Sequence, residues 1–229
     1  MSRERTLVLF TGLAADARLL EPQRELPYRL ITPDWIEPQE DESLPAYARR
    51  MAAGADWPER VVLGGVSFGG MVATELASEV RPDGIVLIAS ARATRSIPST
   101  FRFVNGLIRI VEDFDLGAGG GPGGGMGALR MFMNLFQDFD ETAQALMAEM
   151  LAGTSPGMLH WASELVRVWD GAAAPACPVL HIHGADDPVL PIDRVTPDVV
   201  IPGGGHLVNW THAREVNQAV RRFVDGLPG

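Results

Sequence analysis

Residues 65 to 69 read Gly65-Val66-Ser67-Phe68-Gly69, a serine with a glycine two places to either side. A serine hydroxyl becomes a strong nucleophile only when a base takes its proton, and a serine on a sharp strand-to-helix turn is held out where a base can reach it. The flanks suit such a turn, since the apolar run Val61-Val62-Leu63 leads in and the helix-like stretch Met71 to Ala77 leads out. That helix would also aim its N-terminal N–H groups at negative charge developing beside the serine. A second reading is open, in which Ser67 is only the N-cap of the helix behind a glycine-rich turn. In a chain with 25 glycines the pentapeptide cannot choose between the two. A base and an acid to orient it would.

Two of the five histidines fall just after predicted strands. His206 ends Pro202-Gly203-Gly204-Gly205-His206, between the last predicted strand and the last predicted helix, where backbone freedom can carry an imidazole back over the sheet edge. His183 follows the predicted strand Pro178 to Ile182 and reads as a packing or hydrogen-bonding residue at its end. His181 lies inside that strand, and His160 and His212 lie on predicted helices. The adjacent Asp186 and Asp187, before Pro188, suit an ordinary turn, but they also place a carboxylate on the sheet edge that carries the serine. Serine, then acid, then histidine, each just past a strand, is the chain order of one known hydrolytic arrangement.

The elements that must position these residues can be read from periodicity. Six β-type runs stand out: Thr6 to Phe10, Arg29 to Thr32, Val61 to Leu63, Gly84 to Ala89, Pro178 to Ile182 and Asp198 to Ile201. Helical spacing over Ser43 to Gly54, Gly69 to Ser78 and Trp210 to Val224 separates several of them and predicts an α/β fold with a mostly parallel sheet covered on both faces. Between the fourth and fifth strands the alternation stops. Helices are expected there over Phe101 to Glu112, Ala128 to Phe136, Glu141 to Ala152 and Met158 to Trp169, so residues 91–170 read as a helical cap inserted in a core of residues 1–90 and 171–229. The cap is rich in methionine and aromatic residues, which pack helices and can also adapt to an apolar ligand. The run Gly117 to Gly127 is not a phosphate loop, because no Gly-Lys-Ser/Thr follows it, and it reads as a linker within the cap.

Composition narrows the classes further. All 19 basic residues are arginine, scattered along a chain of net charge −10, which argues against a nucleic-acid partner. The single cysteine, Cys177, reads as a core thiol, and neither a secretory leader nor a membrane-length apolar run is evident. The expectation is a cytoplasmic protein with a small-molecule substrate and no membrane partner. No metal-ligand spacing is seen, and neither a metal nor an organic cofactor is expected.

The chain resembles the α/β-hydrolase fold superfamily. The resemblance runs through Gly12-Leu13 after the first strand, Gly65 to Gly70, His183-Gly184-Ala185-Asp186-Asp187-Pro188, and Gly203-Gly204-Gly205-His206. It implies an α/β-hydrolase fold trimmed to about six strands, because the family's leading antiparallel hairpin has no counterpart here. The family's acid follows Gly-x-x-Asp, which selects Asp187 over Asp186. The resemblance further implies Ser67 as nucleophile, His206 as general base and acid, and an oxyanion hole from the backbone N–H groups of Leu13 and Phe68. It implies hydrolysis of a carboxylic ester or thioester, with activity falling as acid protonates the histidine, and the apolar side chains of the cap lean the substrate toward a small or medium apolar acyl group. Alternatives on the same scaffold are a lyase, a perhydrolase or a non-catalytic binding protein. Two loops depart from the family pattern: Thr11-Gly12 replaces the frequent His-Gly, and Pro33-Asp34-Trp35-Ile36-Glu37-Pro38 replaces a small glycine-and-serine turn.

Overall fold

The computed structural model describes residues 5–92 and 141–229. Six strands form one parallel sheet: β1 (Thr6–Phe10), β2 (Arg29–Ile31), β3 (Val61–Val66), β4 (Gly84–Ile88), β5 (Val179–Gly184) and β6 (Val199–Ile201), in the order β2-β1-β3-β4-β5-β6. The winding starts at β1, goes first to β2 on one side and then to β3 on the other. The strand order thus reverses beside β1, and such a reversal opens a crevice at the carboxyl ends of the strands.

Side-chain alternation explains the two-faced covering. Along β1, Leu7 and Leu9 enter one buried cluster while Val8 and Phe10 enter the other. The first face is covered by the 3₁₀ segment Ala17–Glu25, through Leu19 and Leu20, and by the amphipathic C-terminal helix Ala213–Gly226, through Val216, Val220 and Val224. The second face is covered by α1 (Leu44–Ala53) and α2 (Phe68–Val80), with Leu44, Tyr47, Met71, Val72 and Leu76 buried. Both faces of β3 and β4 are fully covered, as their unbroken apolar runs require.

Of the four helices expected between β4 and β5, the first two fall outside the described residues, as does the glycine-rich run. The other two are α3 (Glu141–Ala152) and α4 (Pro156–Val168), the latter capped by the Ser155 hydroxyl, which accepts from the Met158 N–H at 3.0 Å. Met147, Met150 and Leu151 of α3 join the first cluster, whereas Met158, Leu165 and Val166 of α4 join the second.

Two boundaries differ from the sequence reading in ways that touch the site. His183 is not past the end of its strand but inside β5, because pairing with β6 (His183 with Val200, Gly184 with Ile201) carries the strand two residues further. The terminal helix is also broken: a short α5 (Val208–Thr211) is separated at His212 from α6 (Ala213–Gly226). Among the described residues no helix is long and apolar enough to cross a membrane, and no group of histidine, cysteine and carboxylate side chains could hold a metal ion.

Candidate active site

Ser67 occupies the single residue between β3 and α2, with φ +53° and ψ −120°. A side chain in that backbone region costs about 1–3 kcal/mol and persists only where the surroundings impose it. They do so here. The Ser67 N–H donates to the Ile88 carbonyl at 2.9 Å, and the Ser67 carbonyl accepts from the Gly70 N–H at 3.0 Å and the Ser90 hydroxyl at 2.7 Å. A Cβ on Gly65 would lie 2.5 Å from the Gly69 carbonyl carbon, and one on Gly69 would run into the Thr11 carbonyl, so the turn closes only with glycine at both places. Although Ser67 holds the N-cap position of α2, its hydroxyl makes no capping bond. It lies instead 2.9 Å from His206 Nε2.

Of the two aspartates, Asp186 is exposed and Asp187 is buried. Pro188 has no N–H, and the next two amides converge on one oxygen: Asp187 Oδ1 accepts from Val189 N at 2.8 Å and Leu190 N at 2.9 Å. Asp187 Oδ2 accepts from His206 Nδ1 at 2.8 Å and faces His183 Nε2 at 3.2 Å. Burial alone would push this carboxyl upward, but the His206 ring, the two histidine hydrogen bonds and the Leu190 amide outweigh it and hold Asp187 well below the usual carboxylate range. An ionised carboxylate only accepts, so His206 carries its proton on Nδ1 and turns the Nε2 lone pair to the Ser67 hydroxyl, which donates. Asp187, His206 and Ser67 therefore form one continuous hydrogen-bonded chain.

His183, expected to pack or hydrogen-bond at the strand end, does hydrogen-bond there. Its ring is fully buried, and Nε2 lies 2.7 Å from the Leu190 carbonyl as well as beside Asp187. A carbonyl cannot donate, so Nε2 holds the proton and braces both the acid and the loop carrying it. The spacing His183 to Asp187, four residues across the end of a strand, was the available signal. The histidine loop is fastened in turn. Asp186 N donates to the Gly204 carbonyl at 2.9 Å, tying acid loop to histidine loop. Behind His206, the buried Asn209 amide donates to the Leu19 carbonyl at 3.0 Å, while the Gln23 amide donates to the Asn209 carbonyl at 2.8 Å. Those bonds pin α5 to the 3₁₀ segment, and nothing in the periodicity marks them.

The loop after β1 borders Ser67 from the other side, where a Cβ on Gly12 would sit 3.7 Å from Ser67 Cβ. This puts Gly12 beside the serine, while Phe68 is the first residue of α2, whose N–H has no intrahelical acceptor. Next to this loop lies a cavity of about 270 Å³, lined by Thr11, Trp35, Ile36, Met150, Thr154 and Met158, with Asp16, Asp34 and Glu37 also on its walls. It is small for a ligand pocket, which typically starts at about 300 Å³.

This fold and this site define a class: residues 6–219 match the Alpha/beta hydrolase family, and the chain belongs to it. Similar proteins include the biotin biosynthesis bifunctional protein BioHC of Cellvibrio japonicus (strain Ueda107), 27% identical over 243 residues that cover 96% of this chain and 48% of that protein. The chain thus spans about half the length of that curated relative. Among solved structures, a thermophilic esterase from Thermogutta terrifontis superposes with a TM-score of 0.68 at 22% identity, covering 96% of this chain and 89% of that one. A hydrolase from Oleispira antarctica does so with a TM-score of 0.74 at 15% identity, covering 97% and 92%. At these identities the structural likeness carries the fold.

Proposed function

We propose that the protein is a serine hydrolase that cleaves a carboxylic ester or thioester through an acyl-enzyme on Ser67. The observation that carries this reading is the unbroken chain from Asp187 through His206 to Ser67, with the two contacts at 2.8 and 2.9 Å. His206 Nε2 takes the hydroxyl proton as Ser67 Oγ bonds to the acyl carbon, and Asp187 stabilises the resulting imidazolium. The N–H groups of Phe68 and Leu13 receive the oxyanion, each such donor being worth about 3 kcal/mol in the transition state. Collapse breaks the bond to the leaving alcohol or thiol, which departs with the proton from His206. Water then loses a proton to the same nitrogen, attacks the acyl carbon, and Ser67 regains its proton as the acid leaves.

The substrate side of the reading rests on the cavity beside the oxyanion loop. Its size and its Trp35, Ile36, Met150 and Met158 walls favour a small or medium apolar acyl group. Asp34 and Glu37 on the same walls, with no basic side chain among its described lining residues, disfavour a substrate that carries a second carboxylate. Residues 91–170 would act as the cap, whose described helices supply Met150 and Met158 to the cavity wall.

A fluorophosphonate probe tests the chemistry. The native protein should form a covalent adduct that Ser67→Ala does not form, and the same variant should lose hydrolysis of nitrophenyl esters by a factor on the order of 10⁶ in kcat. A folded native protein that takes no label would rule the reading out. Across nitrophenyl esters of rising acyl length, turnover should peak at short to medium chains, and a preference for charged acyl groups would overturn the substrate assignment.

A further inference from the structure

The two loops that depart from the family pattern touch each other. The Thr11 hydroxyl donates to the Ala15 carbonyl at 3.0 Å, across the loop that follows β1, and accepts the Trp35 indole N–H at 3.0 Å from the loop that follows β2. Thr11 is only 2% exposed, and its single hydroxyl proton is committed to Ala15, so both hydrogen bonds have a fixed sense. The loop it closes contains Ala14 at φ +64°, a backbone region that a residue with a Cβ rarely occupies without an outside hold.

Trp35 is fixed at its other end. Its ring lies between Phe10 (centroids 5.7 Å apart) and Phe68 (5.6 Å), and Phe68 in turn meets Trp161 of α4 edge-on at 6.0 Å. One indole therefore hydrogen-bonds the loop that carries Leu13 and packs against the side chain of Phe68. Those are the two residues whose N–H groups would face the oxyanion.

We infer that Thr11 and Trp35 are positioning residues that set the spacing of the two oxyanion donors, a role built on the ester-hydrolase reading above. Both side chains line the cavity assigned above to the acyl group, and their hydrogen bonds go to Ala15 and to each other, not to Ser67 or His206. Their effect passes through the placement of the Leu13 and Phe68 amides, so it belongs to the transition state, where those amides meet full negative charge, more than to ground-state binding. A hole whose donors wander by an ångström loses on the order of a hundredfold in rate.

The test pairs Thr11→Val, which keeps shape and removes the hydroxyl, with Thr11→Ser, which keeps the hydroxyl. Thr11→Val should lower kcat for a nitrophenyl ester about 30- to 100-fold, with KM within about threefold, and weaken inhibition by an arylboronic acid in proportion to kcat. Thr11→Ser should recover most of the rate, and Trp35→Phe, which keeps a ring between Phe10 and Phe68, should lose about tenfold. Amide hydrogen exchange over residues 12–15 should quicken in Thr11→Val alone of the Thr11 pair. Equal losses in the valine and serine variants, a fall confined to KM, or unchanged exchange would each overturn the inference. If the native protein takes no fluorophosphonate label, the hydrolase reading falls by itself. Exchange that quickens only over 12–15 in the valine variant would still support the hold of Thr11 on its loop, and unchanged exchange would still overturn it.

Discussion

The two sides of the crevice are held together by different forces. On the side of β3, β5 and β6, an ionised carboxylate faces four donors: two backbone amides on one oxygen and two imidazoles on the other. On the side of β1 and β2, no charged group takes part in the link between loops. A hydroxyl, a carbonyl and an indole N–H join them, backed by stacked rings. A buried charge has to be matched almost atom by atom, because an uncompensated one costs several kcal/mol. Neutral hydrogen bonds and ring contacts net about 1 kcal/mol each and can be rebuilt with other side chains. The first arrangement therefore fixes the residue types of the Asp187–His206–Ser67 chain, and the second leaves its side chains freer to vary.

The largest break in this comparison should come from Asp187→Asn. The amide oxygen can still accept from Val189 and Leu190, but the NH₂ group would then point at His206 Nδ1 and His183 Nε2, both of which now need an acceptor. His206 would shift its proton to Nε2 and could no longer receive one from Ser67. A fall in kcat on the order of 10⁴ is expected, well beyond the effect of Thr11→Val. If the two variants lose rate equally in a nitrophenyl ester assay, the contrast between the two sides is wrong.

Next in size is a pH effect on folding. His181, two residues before His183 on the same face of β5, is 1% exposed with its ring edge-on to His183 at 5.4 Å. Burial foremost, then the neighbouring His183 and Arg92, push its pKa down to about 4. An unfolded chain protonates the same ring near the ordinary histidine value of about 6.5. Between these limits the unfolded state binds more protons, so stability should fall as pH drops from about 6.5 to about 4, by about 3 kcal/mol. His181→Leu should flatten that limb in urea titrations. Asp187, whose folded pKa is lowered, acts in a separate window: its stabilisation is present above the ordinary carboxylate range and is lost only below it. A native protein equally stable at pH 7 and pH 4.5 would contradict the assignment to His181.

The same division explains what was legible in the sequence. Ser67, the acid loop and His206 could be found because turns after buried strands leave glycine, proline and charged letters in the chain, and the strand runs themselves were placed to within three residues. Choosing Asp187 over Asp186 needed the Gly-x-x-Asp resemblance, and the structure separates the two by burial. The bond from Trp35 to Thr11, and the Gln23–Asn209 pair behind His206, join residues 24 and 186 places apart. Contacts of that reach leave no period in a local window. His183 was misplaced by one structural step, since the extension of β5 depends on its pairing with β6, a strand of only three residues.

A smaller effect should sharpen the acid side from within. His183→Leu leaves the Leu190 carbonyl and one carboxylate oxygen each short of a donor in a dry site, which should cost about 2 kcal/mol in urea unfolding. Gln places an amide N–H near the position of the imidazole Nε2, so His183→Gln should recover part of that loss. Equal destabilisation by Leu and Gln would mean that ring volume, and not the donor, is what this position supplies.

The smallest effect belongs to the cavity wall. Asp34 and Glu37 are exposed on the cavity wall, where water screens them, so each should influence a substrate carboxylate by only a few tenths of a kcal/mol to about 1 kcal/mol. Asp34→Asn together with Glu37→Gln should therefore raise kcat/KM for a half-ester of a dicarboxylic acid about threefold relative to its neutral analogue, and the gain should vanish at high salt. The neutral ester should be hydrolysed as before, because both carboxylates lie apart from the Asp187–His206–Ser67 chain. A gain that survives 1 M salt would point to a change in cavity shape, and an equal gain for the neutral ester would point to a disturbance of the loop after β1. Either result would tie the cavity wall to the Asp187–His206–Ser67 chain more tightly than their separate supports imply.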